Sequence, residues 1–367
     1  MPKAQETTLE LDLTALAHNY QYLKSKLQEQ TRFLAVVKAF AYGSDACAVA
    51  QKLQELNADY FAVAYTNEGV SLRDGGITKP ILVLHPLPVS FEAIIDRCLE
   101  PNLYSFKVLK AFIETAETRQ QTHYPIHLKF NTGLNRLGFK PSDVPEICEL
   151  LAQTNAVQVK SAFSHLVASE DLNERTFSLE QIARFKALSE KLKDHLGYDF
   201  IKHMCNTSGI LNYPEAHFDM VRSGIGLYGF GNSEKESKHL KPVARLKSVI
   251  SQIHTLQAGE SLGYNRGFKA ERITKSATIP IGHADGIGRQ YGKGKGFVFI
   301  NGKPAPILGN VCMDMIMVDV TNINCEEGDE VIVFDGTHSA ETLAEHAGTI
   351  SYEIITSISQ RVKRITL

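Results

Sequence analysis

No C-x-x-C pair and no metal-ligand cadence joins the six cysteines, which stand at 47, 98, 148, 205, 312 and 325. In a chain far larger than a disulfide-stapled mini-domain, this argues against a disulfide framework or a cysteine-built zinc site and points to reduced thiols in a cytoplasmic protein. Charge of one sign is lacking too: 39 Lys plus Arg oppose 41 Asp plus Glu, a formal net charge of -2. No overall field therefore draws nucleic acid or an anionic membrane, and the expected partner is a small molecule. No run approaches the roughly 18 apolar residues of a membrane span. The opening Met1-Pro2-Lys3-Ala4-Gln5-Glu6 carries no apolar stretch of signal-peptide type, so neither secretion nor insertion is expected. Internal repeats and low-complexity tracts are absent.

What is present fits a folded globular chain of 367 residues, 43% hydrophobic and 22% charged. At about 150 residues per domain that length predicts two or three domains, and a β/α barrel of about 250 residues would leave room for a second module. From Phe33 to Tyr228, short apolar runs (33–37, 60–64, 81–84, 126–130 and 159–163) alternate with helical spacing such as Ala46-Val49-Ala50-Leu53-Leu56 and Phe177-Ile182-Phe185-Leu188-Leu192. The alternation predicts βα units closing a barrel, with a doubly wound sheet as the alternative. After Pro242 the texture changes to β-branched stretches (243–256, 277–282, 296–300, 311–320 and 330–334) cut by turn signals such as Asn301-Gly302 and Asp335-Gly336. The expectation is an α/β chain: an N-terminal barrel over 1–240 and a mostly β domain over 241–367. The polar stretch Gly229 to Lys241 is the linker candidate, with a loop inside one domain as the alternative, and the first ten or so residues are candidates to pair with the second domain.

Polar residues recur at the ends of the predicted strands, where a barrel gathers its catalytic groups. Lys38 ends an apolar strand, where a cation must find a partner, lose its proton or react. Lys129 opens a glycine-bearing loop that ends in Arg136. His165 follows a third strand, Thr207 and Ser208 precede a turn, and Arg222 stands before glycines whose backbone N–H groups could approach an anion. In the second domain, Gly263-Tyr264-Asn265-Arg266, Gly282-His283-Ala284-Asp285-Gly286 and Gly309-Asn310-Val311-Cys312-Met313-Asp314 are polar and aromatic loops. Singly, each has an ordinary structural explanation: a snorkelling lysine, a satisfied core histidine, hairpin chemistry at the Asp-Gly turns.

Together and in order, V-V-K-A-F-A-Y-G, N-T-G-L-N-R-L-G, V-R-S-G-I-G-L-Y-G and G-N-V-C-M-D resemble the alanine racemases, pyridoxal-phosphate enzymes of fold type III, over nearly the whole chain. The resemblance implies a homodimer whose active sites each combine one barrel with the partner's second domain. It implies that Lys38 binds the cofactor aldehyde covalently and serves as one base, and that Tyr264 of the other subunit is the opposite base, with His165 beside it. Arg222 would face the pyridine nitrogen. Tyr42, Thr207, Tyr352 and the N–H groups of Gly224 and Ile225 would hold the 5'-phosphate. Arg136 and Met313 would bind the substrate, and Lys129 matches a lysine that is carbamylated in many members. No metal is expected. The implied activity is interconversion of L- and D-alanine by a two-base 1,1-proton transfer, supplying D-alanine for peptidoglycan.

Phe40, Asn131, Thr207 and His283 depart from the family's commoner residues at their positions, as does Asn265 after the tyrosine. His283 bears on entry and substrate range more than on the reaction. The rival readings are an amino-acid decarboxylase of the same fold type, a racemase of serine or another amino acid, and a non-catalytic barrel-only pyridoxal-phosphate carrier. An arginine, rather than a carboxylate, at 222 argues against the first, and the residues beyond Pro242 argue against the last.

Overall fold

The computed structural model describes residues 5–367. The first four residues, which carry the start of the polar opening and part of the segment expected to pair with the second domain, lie outside that range. The chain divides into two compact units: one of Ala17–Ala41 and Ala46–Leu240, the other of Met1–Leu16, Tyr42–Asp45 and Lys241–Leu367. The first strand, β1 (Thr8–Leu11), belongs to the second of these.

Eight parallel strands follow: β2 (Arg32–Val36), β3 (Tyr60–Val63), β4 (Ile81–Val83), β5 (Glu100–Leu103), β6 (Tyr124–Lys129), β7 (Val157–Phe163), β8 (Ile201–His203) and β9 (Met220–Ser223). They pair in sequence order, and β9 returns to β2, closing the barrel. Most of their residues are buried on both faces, which is why they read as short apolar runs rather than alternating ones. The connecting helices carry an apolar stripe at helical spacing; Val49, Ala50 and Leu53 are buried in Ala46–Glu55. The barrel settles the choice against a doubly wound sheet. The predicted runs match β2, β3, β4, β6 and β7 to within a few residues, whereas β5, with sequence Glu-Pro-Asn-Leu, carries no apolar signature.

The other unit holds a nine-stranded sheet. In it β1 pairs antiparallel with Ala244–Val249 and parallel with Lys363–Thr366. The stretch read as one run from Val243 to Leu256 is two strands, Ala244–Val249 and Gln252–Leu256, broken at Ile250 and Ser251. Asn301 and Gly302 both take positive φ, +49° and +74°, and turn Phe297–Ile300 into Lys303–Leu308. Asp285-Gly286 is not a hairpin turn. Its carboxylate accepts from Gly282 N–H at 2.8 Å and pairs with Arg361 at 2.7 Å.

Gly229 to Lys241 is not a loose tether. It contains the helical turn Glu234–Ser237. The buried Glu236 carboxylate accepts from Ser208 Oγ at 2.8 Å, Asn212 Nδ2 at 2.7 Å and Asn232 N–H at 2.9 Å, fastening the segment to the barrel unit. No helix among the described residues is long and apolar enough to cross a membrane.

Candidate active site at the strand ends

Lys38 sits on an unusual piece of backbone. Val37 N–H still donates to Ala62 O at 2.9 Å, as a strand would, and the chain then turns at Lys38–Gly43. Ala39, Phe40, Ala41 and Tyr42 have φ of +52°, +54°, +53° and +55°, and Gly43 follows at +81°. This is a turn of left-handed helix, which costs roughly 1–2 kcal/mol for each L-residue. Gly43 is required twice over, because a Cβ there would also stand 2.0 Å from Ile355 O. Glu68 anchors the near end: one oxygen accepts from Ala39 N–H at 2.6 Å, the other from Ala64 and Tyr65 N–H at 2.7 and 3.0 Å. The turn fixes where Lys38 leaves the barrel wall. Burial, followed by the Arg136 charge, lowers the Lys38 amine from its ordinary range, while Glu68 opposes the shift.

Arg222 forms the centre of the barrel's polar cluster. On β9 it is 5% exposed. Nη1 donates to His203 Nδ1 at 2.8 Å; Nη2 donates to Ser164 O at 2.8 Å and to His165 Nδ1 and Met204 O, both at 3.0 Å. Burial pushes the guanidinium down to about 10, still cationic at neutral pH. Burial, then Arg222, drives His165 well below the ordinary histidine range, so both its neighbours and its position keep it neutral. Lys129, the last residue of β6, lies with its Nζ 4.8 Å from the Phe163 ring centre. Burial first, then Arg222 and Arg136, pushes its amine down to about 7. Lys38, Lys129, Arg136, His165 and Arg222 thus share one electrostatic environment.

Asn131, one of the positions noted above as a departure, shapes the loop that carries Arg136. Its Oδ1 accepts from Gly133 and Asn135 N–H at 3.1 and 3.0 Å, and its Nδ2 donates to Asn135 Oδ1 at 2.8 Å. An aspartate could supply only the first two. Beside Arg222, Thr207 Oγ1 accepts from Gly226 N–H at 3.2 Å and lies 3.0 Å from Ser223 Oγ. A Cβ on Gly226 would meet Thr207 Cγ2 at 2.5 Å, so glycine is needed for this close approach. Ser223 and Gly226, to which the sequence assigned no role, thus join Thr207 in this cluster.

Four of the expected residues belong to the other unit. The Tyr42 and Tyr352 rings lie 6.0 Å apart, and burial, then Tyr352, pushes the Tyr42 phenol up. Tyr264 is 75% exposed, on a turn where Gly263, Asn265 and Arg266 all have positive φ and Asn310 Nδ2 donates to Tyr264 O at 3.1 Å. Met313 is 58% exposed. Its carbonyl accepts from Ala284 N–H at 3.0 Å, His283 N–H donates to Cys312 O at 2.9 Å, and a Cβ on Gly282 would stand 2.3 Å from Met313 O. Arg361 ties Asp314 to Asp285. The two loops that looked separate in sequence are therefore one packed pair presenting Met313. Among the described residues, no group of acidic, histidine or cysteine side chains is arranged to hold a metal.

Known proteins agree with this architecture. Residues 11–231 match the family model for the alanine racemase N-terminal domain and residues 243–366 that for the C-terminal domain. "Alanine racemase 1" of Clostridium acetobutylicum is 36% identical, over 97% of this chain and 94% of that protein. The solved alanine racemase of Clostridium difficile 630 is 34% identical with a TM-score of 0.93, covering 100% of this chain and 97% of that one. The Bartonella henselae alanine racemase, solved with covalently bound pyridoxal phosphate, is 28% identical with a TM-score of 0.90, covering 99% of this chain and 100% of that one. The chain belongs to the alanine racemase family.

Proposed function

We propose that this chain interconverts L- and D-alanine with pyridoxal 5'-phosphate as cofactor, acting as a cytoplasmic homodimer whose D-alanine feeds peptidoglycan synthesis. The observation that carries the reading is the buried Arg222, a cation whose donors all go to neutral acceptors. A decarboxylase of this fold type would set a carboxylate against the ring nitrogen at this place, and an arginine stands there instead.

The donor set fits the cofactor. Thr207, Tyr42 and Tyr352 hydroxyls, with the N–H groups of Gly224 and Ile225, suit a phosphate dianion because each can donate. Lys38 Nζ would hold the cofactor covalently, and its lowered pKa favours the neutral amine that both bonding and base chemistry require. When bound, the cofactor supplies an electron sink that acidifies the Cα proton of the amino acid. Arg222, which keeps its proton at neutral pH, would face the ring nitrogen as a donor without protonating it and limit how far that sink draws charge.

Lys38 Nζ and Tyr264 Oη of the partner subunit would move the proton at Cα on opposite faces. His165 neighbours that tyrosine. Arg136 and the backbone N–H of Met313 of the partner subunit would receive the carboxylate. The exposure of Tyr264 and Met313 on constrained turns supports a role towards a second chain. Lys129, carbamylated, would place an anion beside Arg136. In this reading the barrel function runs over 1–240, apart from β1 and Tyr42–Asp45, which belong to the other unit, and the partner-donating function over 241–367.

Two variants test the assignment. Lys38→Ala should lose covalent attachment of the cofactor, read as loss of its protein-linked absorbance. Tyr264→Phe should keep the cofactor bound and slow proton removal from L-alanine by about a hundredfold or more. Unchanged rates in both directions for Tyr264→Phe would refute its role as a base.

A further inference from the structure

Behind Arg222 the barrel interior carries an unbroken run of buried hydrogen bonds that no role above requires. His203 Nε2 lies 3.0 Å from Ser161 Oγ, Ser161 Oγ lies 2.5 Å from His127 Nδ1, and His127 Nε2 lies 2.6 Å from Glu100 Oε2. Every member is on a barrel strand: Arg222 on β9, His203 on β8, Ser161 on β7, His127 on β6, Glu100 on β5. The run therefore crosses five adjacent strands, and all its residues are buried. Barrel interiors are ordinarily filled with branched apolar side chains, so a polar row here needs a reason.

The chemistry of its two ends fixes its direction. Arginine only donates, so Nδ1 of His203 must be bare. Burial and the Arg222 charge hold His203 well below its ordinary pKa, so the ring is neutral and its proton sits on Nε2, donated to Ser161. Ser161 has one proton; having accepted from His203, it donates to His127 Nδ1. His127 then carries its proton on Nε2 and donates to Glu100, an acceptor when ionised. The opposite arrangement, with His127 Nδ1 donating to Ser161, would give that hydroxyl two donors and leave its own proton with no acceptor among the described residues. Only one ordering satisfies every atom.

We propose that Glu100 is the counter-charge of Arg222, delivered through His127, Ser161 and His203, and that it acts as a positioning residue for the guanidinium. A buried cation and a buried anion are each costly alone. Here neutral, aligned dipoles join them where no direct ion pair could reach, and a chain of hydrogen bonds polarised from both ends strengthens each link. The carboxylate makes His203 Nδ1 a better acceptor, holding Nη1 so that Nη2 stays on Ser164 O, Met204 O and His165. The wire stands on geometry alone; its bearing on the cofactor ring rests on the function proposed above.

The test is nitrogen-15 NMR of histidine-labelled protein as isolated, with His127, His165 and His203 assigned by single replacement. In the wild type, His127 and His203 should each show a bare, pyridine-like Nδ1 and a protonated, pyrrole-like Nε2. Glu100→Gln should shift the His203 Nδ1 resonance and the His165 Nδ1 resonance beyond Arg222. Ser161→Ala should cut that communication, so that adding Glu100→Gln to it leaves both resonances still, whereas Ser161→Thr, which keeps the hydroxyl, should restore it. A proton on His127 Nδ1 in the wild type would overturn the proposal, independently of the Glu100 and Ser161 variants. So would a folded Glu100→Gln protein whose His203 and His165 signals do not move, or one whose shifts survive Ser161→Ala. The tautomers can be read whether or not the protein racemises alanine, so failure of the wire and failure of the proposed activity are separable.

Discussion

Lys129 offers the sharpest energetic handle on the barrel. Its amine falls from an ordinary 10.5 to about 7, with burial as the main cause and Arg222 and Arg136 adding repulsion. At about 1.4 kcal/mol per pH unit, holding it charged in place costs on the order of 5 kcal/mol. Below pH 7 the folded and unfolded chains are both protonated there and the whole cost is present. Between pH 7 and 10.5 the unfolded chain keeps a proton the folded chain has lost, so stability rises with pH until the cost is gone. At pH 8 the folded site holds roughly 300-fold more free amine than an ordinary lysine would. Free amine is the form that adds carbon dioxide, and the resulting carbamate is an anion beside two guanidinium groups. Protein equilibrated with carbon-13 bicarbonate at pH 8 should show a carbamate carbon signal that Lys129→Met abolishes. In carbon-dioxide-free buffer, wild-type denaturation midpoints should rise from pH 7 towards 10 relative to those of Lys129→Met. A carbamate signal that survives Lys129→Met, or parallel pH profiles for the two proteins, would refute the reasoning.

Three further outcomes follow from particular residues. Ala39→Gly should stabilise by about 0.5–1 kcal/mol, since Ala39 is exposed at φ +52° and loses strain but no packing, read as a rise in thermal midpoint. Gly226→Ala should drive a methyl against Thr207 Cγ2 and weaken retention of pyridoxal phosphate by at least about tenfold, measured by absorbance titration of the stripped protein. Glu68→Gln keeps one acceptor oxygen for the backbone donors of Ala39 in the Lys38 turn and of Ala64 and Tyr65 beyond β3, and should lower stability by about 1–3 kcal/mol, read by denaturation.

The barrel was legible because parallel strands buried on both faces leave continuous apolar runs, as at Phe33–Val37 and Ile81–Leu84. No apolar run announced β5, β8 or β9, although His203 and Arg222 stood in segments read as strand ends. Glu100, His203 and Arg222 point chemistry into the barrel, so the strands that carry them lose the apolar pattern that would announce them. Lys38, His165 and Arg222 were found by their places at strand ends and by family motifs. Glu68, Ser223, Glu100, His127 and Ser161 were missed because each is a single polar residue whose meaning lies in a partner on another element of the barrel. The spacing of carboxylate and lysine gives no hint that Glu68 ties down a left-handed turn. Met313 was legible as part of G-N-V-C-M-D, but its support by Gly282, Ala284 and Arg361 emerges only when the two loops pack.

The central claim is that this chain moves the α-proton of alanine from one face to the other. Purified protein with pyridoxal phosphate and L-alanine in deuterium oxide, followed by proton NMR and a chiral assay of the same tube, tests it most directly. The account expects the α-proton signal to disappear while D-alanine rises towards parity with L-alanine. L-alanine that keeps its α-proton and its configuration would contradict it.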